Sequence, residues 1–117
     1  MTDRELLGAA AKAAGLVPDG AFGKGLLVLD GGKAMCFDPL NDDGTALRLA
    51  VKLRLSIIQE EEFLEGVRYP TVEVMSEERE DGSRICTMQS LEVDALAATR
   101  LAIVRAAAAI QQAKEAQ

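Results

Sequence analysis

Residues Asp38 to Gly44 read Asp-Pro-Leu-Asn-Asp-Asp-Gly and stand directly before a helical pattern that carries Arg48. Clustered oxygen donors of this kind suit a hard cation such as Ca²⁺ or Mg²⁺, and Asp38, Asn41, Asp42 and Asp43 are the candidates. The spacing argues against an EF-hand. With Gly44 as the turning glycine, the first ligand position falls on Pro39 and the last on Ala50, where the loop needs acids. Aligned on Gly82, the loop gains Glu77 at its start but ends on Met88. An Asx turn that caps a helix explains the same residues more simply. Arg48, Lys52, Arg100 and Arg105 offer the opposite chemistry, because a guanidinium pairs bidentately with phosphate or carboxylate. Arg100 and Arg105 are five residues apart, however, so on one helix they diverge by about 140° and form no single patch. A salt bridge from one of them to Asp42 or Asp43 would instead dock the last helix onto the turn. Asp38, Asn41, Asp42, Asp43, Arg48 and Arg100 are thus either a ligand cluster or a contact that defines the fold.

The remaining inventory is poor in catalytic groups. The chain has no histidine, which removes Ser-His and Cys-His catalysis and most zinc sites. Gly23-Lys24-Gly25 lacks the rest of a phosphate-binding loop, including the hydroxyl after the lysine. No nucleophile and base stand at an interpretable spacing, so neither an enzyme nor a cofactor is expected. Cys36 and Cys86 lie in apolar, strand-like surroundings, which predicts buried free thiols rather than a disulfide.

The net charge of −6 is concentrated between residues 60 and 94, where eleven acids face three bases. Such a chain is a weak binder of nucleic acid, whose phosphates are held by clustered Lys and Arg. Glu77, Glu78, Glu80 and Asp81 surround one turn and form a candidate partner surface, able to imitate phosphates or capture a basic protein. A solvated face is the simpler account of the same run. No stretch is apolar for the roughly 20 residues that span a bilayer, and the opening Met-Thr-Asp-Arg-Glu carries acids where a signal peptide carries bases. A cytoplasmic protein without a membrane segment is expected. Its 117 residues suffice for one domain, spanning 1–117.

The elements follow from local pattern. Thr2 and Glu5 make a capping box, predicting a helix over about residues 3–14 that Gly15 stops. Residues 16–25, rich in Gly with Pro18, read as a loop. Leu26–Leu29 and Lys33–Phe37 flank Asp30-Gly31-Gly32 and predict a hairpin. Pro39 keeps Asp38 out of helical geometry, and Asn41, Asp42 or Asp43 can cap a second helix over about 43–53. Leu55–Gln59 reads as a strand and Glu60–Tyr69 as an acidic connection. Alternation over Thr71–Glu77 and Ser83–Gln89 predicts a second hairpin, and Val93–Ala113 a long alanine-rich helix with a frayed polar tail over 111–117. The fold class is α+β: a layered α/β sandwich whose antiparallel or mixed sheet of about four to five strands is covered by about three helices.

The run Asp38–Gly44, the helix Ala46-Leu47-Arg48-Leu49-Ala50-Val51-Lys52-Leu53, and the late Ala97-Ala98-Thr99-Arg100 with Ala102-Ile103-Val104-Arg105-Ala106-Ala107-Ala108 resemble the phage ABA-sandwich domain family of bacteriophages and prophages. The resemblance covers roughly residues 1–12, 35–55 and 93–112. Leu101 stands where that family commonly has arginine, and Phe37 where it commonly has tryptophan. The resemblance implies a layered sandwich and no particular activity, so it assigns no functional residue. The expected function is that of a non-catalytic accessory protein that binds a host or phage protein and inhibits a host defence system. Small-ligand binding, of a nucleotide or another anion, and self-association as a structural phage protein are the alternatives, which leaves a homo-oligomer open.

Overall fold

Thr2 begins the first helix as its capping box requires. The Glu5 amide donates to Thr2 Oγ1 at 3.2 Å and the Thr2 amide donates to Glu5 Oε1 at 3.4 Å. In the computed structural model, which describes residues 1–116, this helix, α1, spans Asp3–Ala13 and buries Leu7, Ala10, Ala11 and Ala13. Gly15, at φ 79°, ends it in the left-handed region. Gly8 lies inside α1, and a Cβ added there meets nothing within 4 Å. Gly8→Ala is expected to raise stability by about 0.5–1 kcal/mol, read as a higher urea midpoint at unchanged slope.

Residues 16–25 are not the loop that glycine and proline suggest: Val17–Phe22 form a strand, β1. It pairs antiparallel with β2 (Gly25–Asp30), with a register shift between Pro18 and Ala21. β1 is an edge strand and almost wholly exposed, so backbone pairing holds it rather than a buried apolar pattern. β2 and β3 (Lys33–Phe37) form the expected hairpin around Gly31 and Gly32, both with positive φ. Leu26, Val28 and Phe37 from this sheet are buried.

Helix α2 covers Asp43–Lys52. Glu60–Tyr69 is no connection but belongs to two long strands, β4 (Ser56–Leu64) and β5 (Val67–Met75). They meet at Glu65 and Gly66, whose φ of 52° and 78° are those of a tight two-residue hairpin turn. Periodicity is silent here because most of β4 is exposed on both faces. β6 (Cys86–Ser90) completes a second sheet in the order β4-β5-β6. The described residues are therefore α+β, with three helices and six strands in two three-stranded antiparallel sheets, not one sheet of four to five.

Helix α3 (Ala95–Glu115) starts at Asp94, which accepts from the Ala97 amide, and runs past the expected end at Ala113. Residues 111–115 are helical rather than a frayed tail, while the expectation for Gln117 lies outside the described residues. Ala102, Ile103, Val104, Ala106, Ala107 and Ala108 are all buried, so this stretch is enclosed around most of its circumference. α1, α2, β5 and β6 all pack on α3, and α1 also touches β1 and β2. Alanine allows that crowding because it keeps helix axes close.

Cys36 and Cys86 are free thiols, as expected, but both are exposed rather than buried. Thr87 donates to the Ala102 carbonyl at 2.8 Å, so β6 turns Thr87 toward α3 and Cys86 away from it. Both thiols should react with a thiol-specific reagent in the native protein. Reaction only after denaturation would contradict this placement. Among the described residues no helix is long and apolar enough to cross a membrane.

Candidate functional site

Pro39 leaves the end of β3 and is fully buried, anchoring a turn that two backbone bonds close. The Asn41 and Asp42 amides both donate to the Asp38 carbonyl, at 3.2 and 2.9 Å. The side chains repeat the theme, with Asn41 Nδ2 donating to Asp38 Oδ1 at 3.0 Å. Asp42 caps α2: its Oδ2 accepts from the Thr45 amide at 2.8 Å and from the Thr45 hydroxyl at 2.5 Å. The Thr45 hydroxyl, then the Thr45 amide, and more weakly Arg48 and Arg100, hold the Asp42 carboxyl below the usual range.

A lowered carboxyl pKa contributes stability above the unfolded value of about 3.9 and loses it as pH falls through the folded value. Asp42→Asn keeps a capping oxygen but has no proton to gain. Its melting temperature should fall less steeply than the parent's below about pH 4. Parallel curves would show that Asp42 is not the source.

Arg100 crosses from α3 to this turn. Its Nε donates to the Leu40 carbonyl at 2.8 Å and its Nη1 to Asp43 Oδ1 at 2.6 Å. The Arg100 side chain is only 17% exposed, whereas Asp43 is 63% exposed. Arg48 stays at the surface, its Nη2 4.0 Å from Asp42 Oδ2 and 3.4 Å from the Thr45 hydroxyl. All six candidate residues thus meet at one corner, and each places at least one polar atom on a neighbour in the turn, on α2 or on α3. Arg105 is exposed and takes no part, as its angular separation from Arg100 requires. Among the described residues, no three His, Cys, Asp or Glu side chains are grouped so as to hold a metal ion.

The acidic turn is similarly occupied. Glu77 lies 3.0 Å from Arg54 and Glu78 3.9 Å from Arg84. Asp81 accepts from the Ser83 hydroxyl at 2.6 Å and the Ser83 amide at 2.9 Å, which lowers its pKa. Among the described residues only Glu80 of the four lacks an ion pair or a side-chain hydrogen bond. The segment does not continue the hairpin ladder: residues 76–85 leave it, closed by bonds between Ser76 and Ile85 and from the Arg79 amide to the Ser83 carbonyl.

Two features escaped the residue patterns. One is a groove of about 190 Å³ lined in part by Leu16, Met35, Phe37 and Leu49, with Arg48 and Lys52 beside them. It joins β3 to α2, elements distant from Leu16 in sequence. The other is the far end of the β4–β5 hairpin, where Phe63, Leu64 and Val67 are 61%, 63% and 51% exposed. Glu65-Gly66 between apolar residues is its sequence signal, weakened because Glu replaces the usual Asn or Asp. The molecule measures 52 × 35 × 23 Å, and its radius of gyration of 14.7 Å exceeds the roughly 13 Å of a compact domain of this length. No family model, curated protein or solved structure matches this chain.

Proposed function

We propose that the chain is a non-catalytic bacteriophage or prophage accessory protein that binds another protein in the host cytoplasm, with inhibition of a host defence system as its role. In this reading the three helices and two sheets form a layered α/β sandwich of the phage ABA-sandwich type. The observation that supports it most is the internal engagement of the Asp38–Gly44 corner. One oxygen of each of Asp38, Asp42 and Asp43, and the Arg100 guanidinium, serve the turn, the α2 cap and the docking of α3, which favours binding by another exterior surface. The absence of histidine and of any paired nucleophile and base supports a non-catalytic role.

The test is capture from a host lysate followed by cross-linking. Parent protein should retain a discrete partner, and the charge reversal Glu77→Lys, Glu78→Lys, Glu80→Lys should weaken it if the acidic turn takes part. Undiminished capture by that variant removes this turn from the interface. No retained partner under any condition removes the interaction reading.

A second reading rests on the groove beside Arg48 and Lys52, whose apolar walls and two cations, set against the single acid Asp30, suit a small anion with an aliphatic or aromatic body. A ligand at 100 times its dissociation constant stabilises by about 2.7 kcal/mol, so a thermal-shift screen against nucleotides and carboxylates reports it directly. A flat screen leaves protein binding as the function.

A further inference from the structure

β4 and β5 share nine rungs, from Ser56–Met75 to Leu64–Val67, but β6 pairs only with Thr71–Met75. The last four rungs, from Glu61–Pro70 outward, therefore form a two-stranded ribbon. Such a ribbon is marginal in water by itself. Here it also carries exposed Phe63, Leu64 and Val67 near its end. β4 is moreover the outer strand of its sheet, so one side of its backbone has no partner strand among the described residues. The two-residue turn makes Leu64–Val67 a hydrogen-bonded pair, and alternation then leaves the N–H and C=O groups of Ile57, Gln59, Glu61 and Phe63 on the free edge.

Natural edges of this length are usually blunted by lysine, proline, bulges or a covering loop. This one is regular over nine residues and contains none of these residues, only the acids Glu60, Glu61 and Glu62. Those acids decide what can pair with it. An antiparallel second copy centred on Glu61 would set Glu60 opposite Glu62 of that copy, and like charges in that position repel. Nucleic acid is repelled by the same charges. Arg68, the one base of the ribbon, is engaged 3.3 Å from Glu61 and 5.3 Å above the Phe63 ring. Glu60, Glu62 and Glu65 form no ion pair among the described residues.

We infer that the free edge of β4 receives an extended, basic segment of a partner protein as an added strand, with Phe63 and Ile57 on one face packing against its apolar side chains and Glu60 and Glu62 on the other face meeting its bases. The inference rests on the interaction reading above and moves its surface from the acidic turn at Glu77–Asp81 to the β4 edge. Main-chain pairing supplies affinity in such strand addition, and the side chains on either side supply selectivity.

The probe is an eight-residue peptide alternating Arg and Val, with an alternating Glu and Val peptide as its control, titrated against the isotope-labelled full chain. The Arg-Val peptide should shift amides of residues 57–64 and leave those of 77–81 in place. Affinity should fall about tenfold or more with Glu60→Lys and Glu62→Lys combined, and with rising salt. Gln59→Pro removes an outward N–H without touching the β4–β5 ladder and should abolish binding at unchanged net charge. Equal binding of the Glu-Val peptide, shifts centred elsewhere, no saturable binding at millimolar peptide, or full binding by Gln59→Pro would each overturn the inference. Lysate capture that survives both variants would remove the β4 edge while sparing the interaction reading. Absence of capture by the parent chain itself would remove that reading, whereas the peptide titration judges the edge independently.

Discussion

Arg100→Ala should lower the unfolding free energy by about 2 kcal/mol and the melting temperature by about 10 °C. The substitution removes two charge-assisted bonds that join α3 to the turn before α2, to the Leu40 carbonyl and the Asp43 carboxylate. Their strength comes from unequal exposure. The guanidinium is largely enclosed, so the Leu40 carbonyl loses its charged donor in a place that water reaches poorly. Asp43→Asn is the informative contrast. Asp43 is mostly solvated and the bond to Leu40 survives, so its cost should stay under about 1 kcal/mol. Arg100→Lys recovers little, because an ammonium cannot reproduce the planar fork that spans both acceptors. Thermal unfolding of the three variants gives the order. Unchanged melting of Arg100→Ala would show that the corner is not what holds the C-terminal helix.

Gly25→Ala is the second large effect, at about 2–3 kcal/mol of lost stability in urea unfolding. An added Cβ would stand 2.6 Å from the Phe37 carbonyl oxygen, 2.8 Å from Asp38 Cβ and 3.2 Å from Asp38 Cα. Two of these three are backbone atoms, so no side-chain rotation relieves the overlap. The strand end must move. Phe37 and Asp38 lead into buried Pro39 and the turn that Arg100 clamps, which couples the displacement to the same corner. The double variant Gly25→Ala with Arg100→Ala should therefore cost less than the sum of the single costs. A parent-like midpoint for Gly25→Ala would exclude the overlap.

The sequence was legible wherever short-range chemistry decides the structure. The Thr2–Glu5 box, the Gly31-Gly32 turn, the Asp42 cap and the Arg100 contact each need only a few atoms at fixed spacing. It was misleading where a strand buries little. β1 contains Pro18 and Gly20, and the outer half of β4 is Glu-Glu-Glu, so neither shows the alternation that burial imposes. The cysteines failed for a related reason: an apolar neighbourhood in sequence includes both faces of a strand, and only one faces a helix. The division into two sheets was invisible because it depends on β3 and β4 not pairing, and the absence of a long-range pairing leaves no local pattern. Of the candidate site, the cluster itself could be read from spacing, but its occupancy by internal partners required the position of Leu40 against a residue 60 places further along.

The enclosure of α3 also bears on how the chain acquires its structure during synthesis. The alanine-rich helix that α1, α2, β5 and β6 all touch follows every one of them in sequence. Until the ribosome has released residues 95–108, α2, β5 and β6 lack the helix they close upon, α1 has only β1 and β2, and the interior contributed by Leu7, Val28, Val72 and Val74 stays largely open to water. Nascent chains cut short before α3 should bind chaperones and resist no protease, and consolidation should come in one late, cooperative step that joins the two ends of the chain.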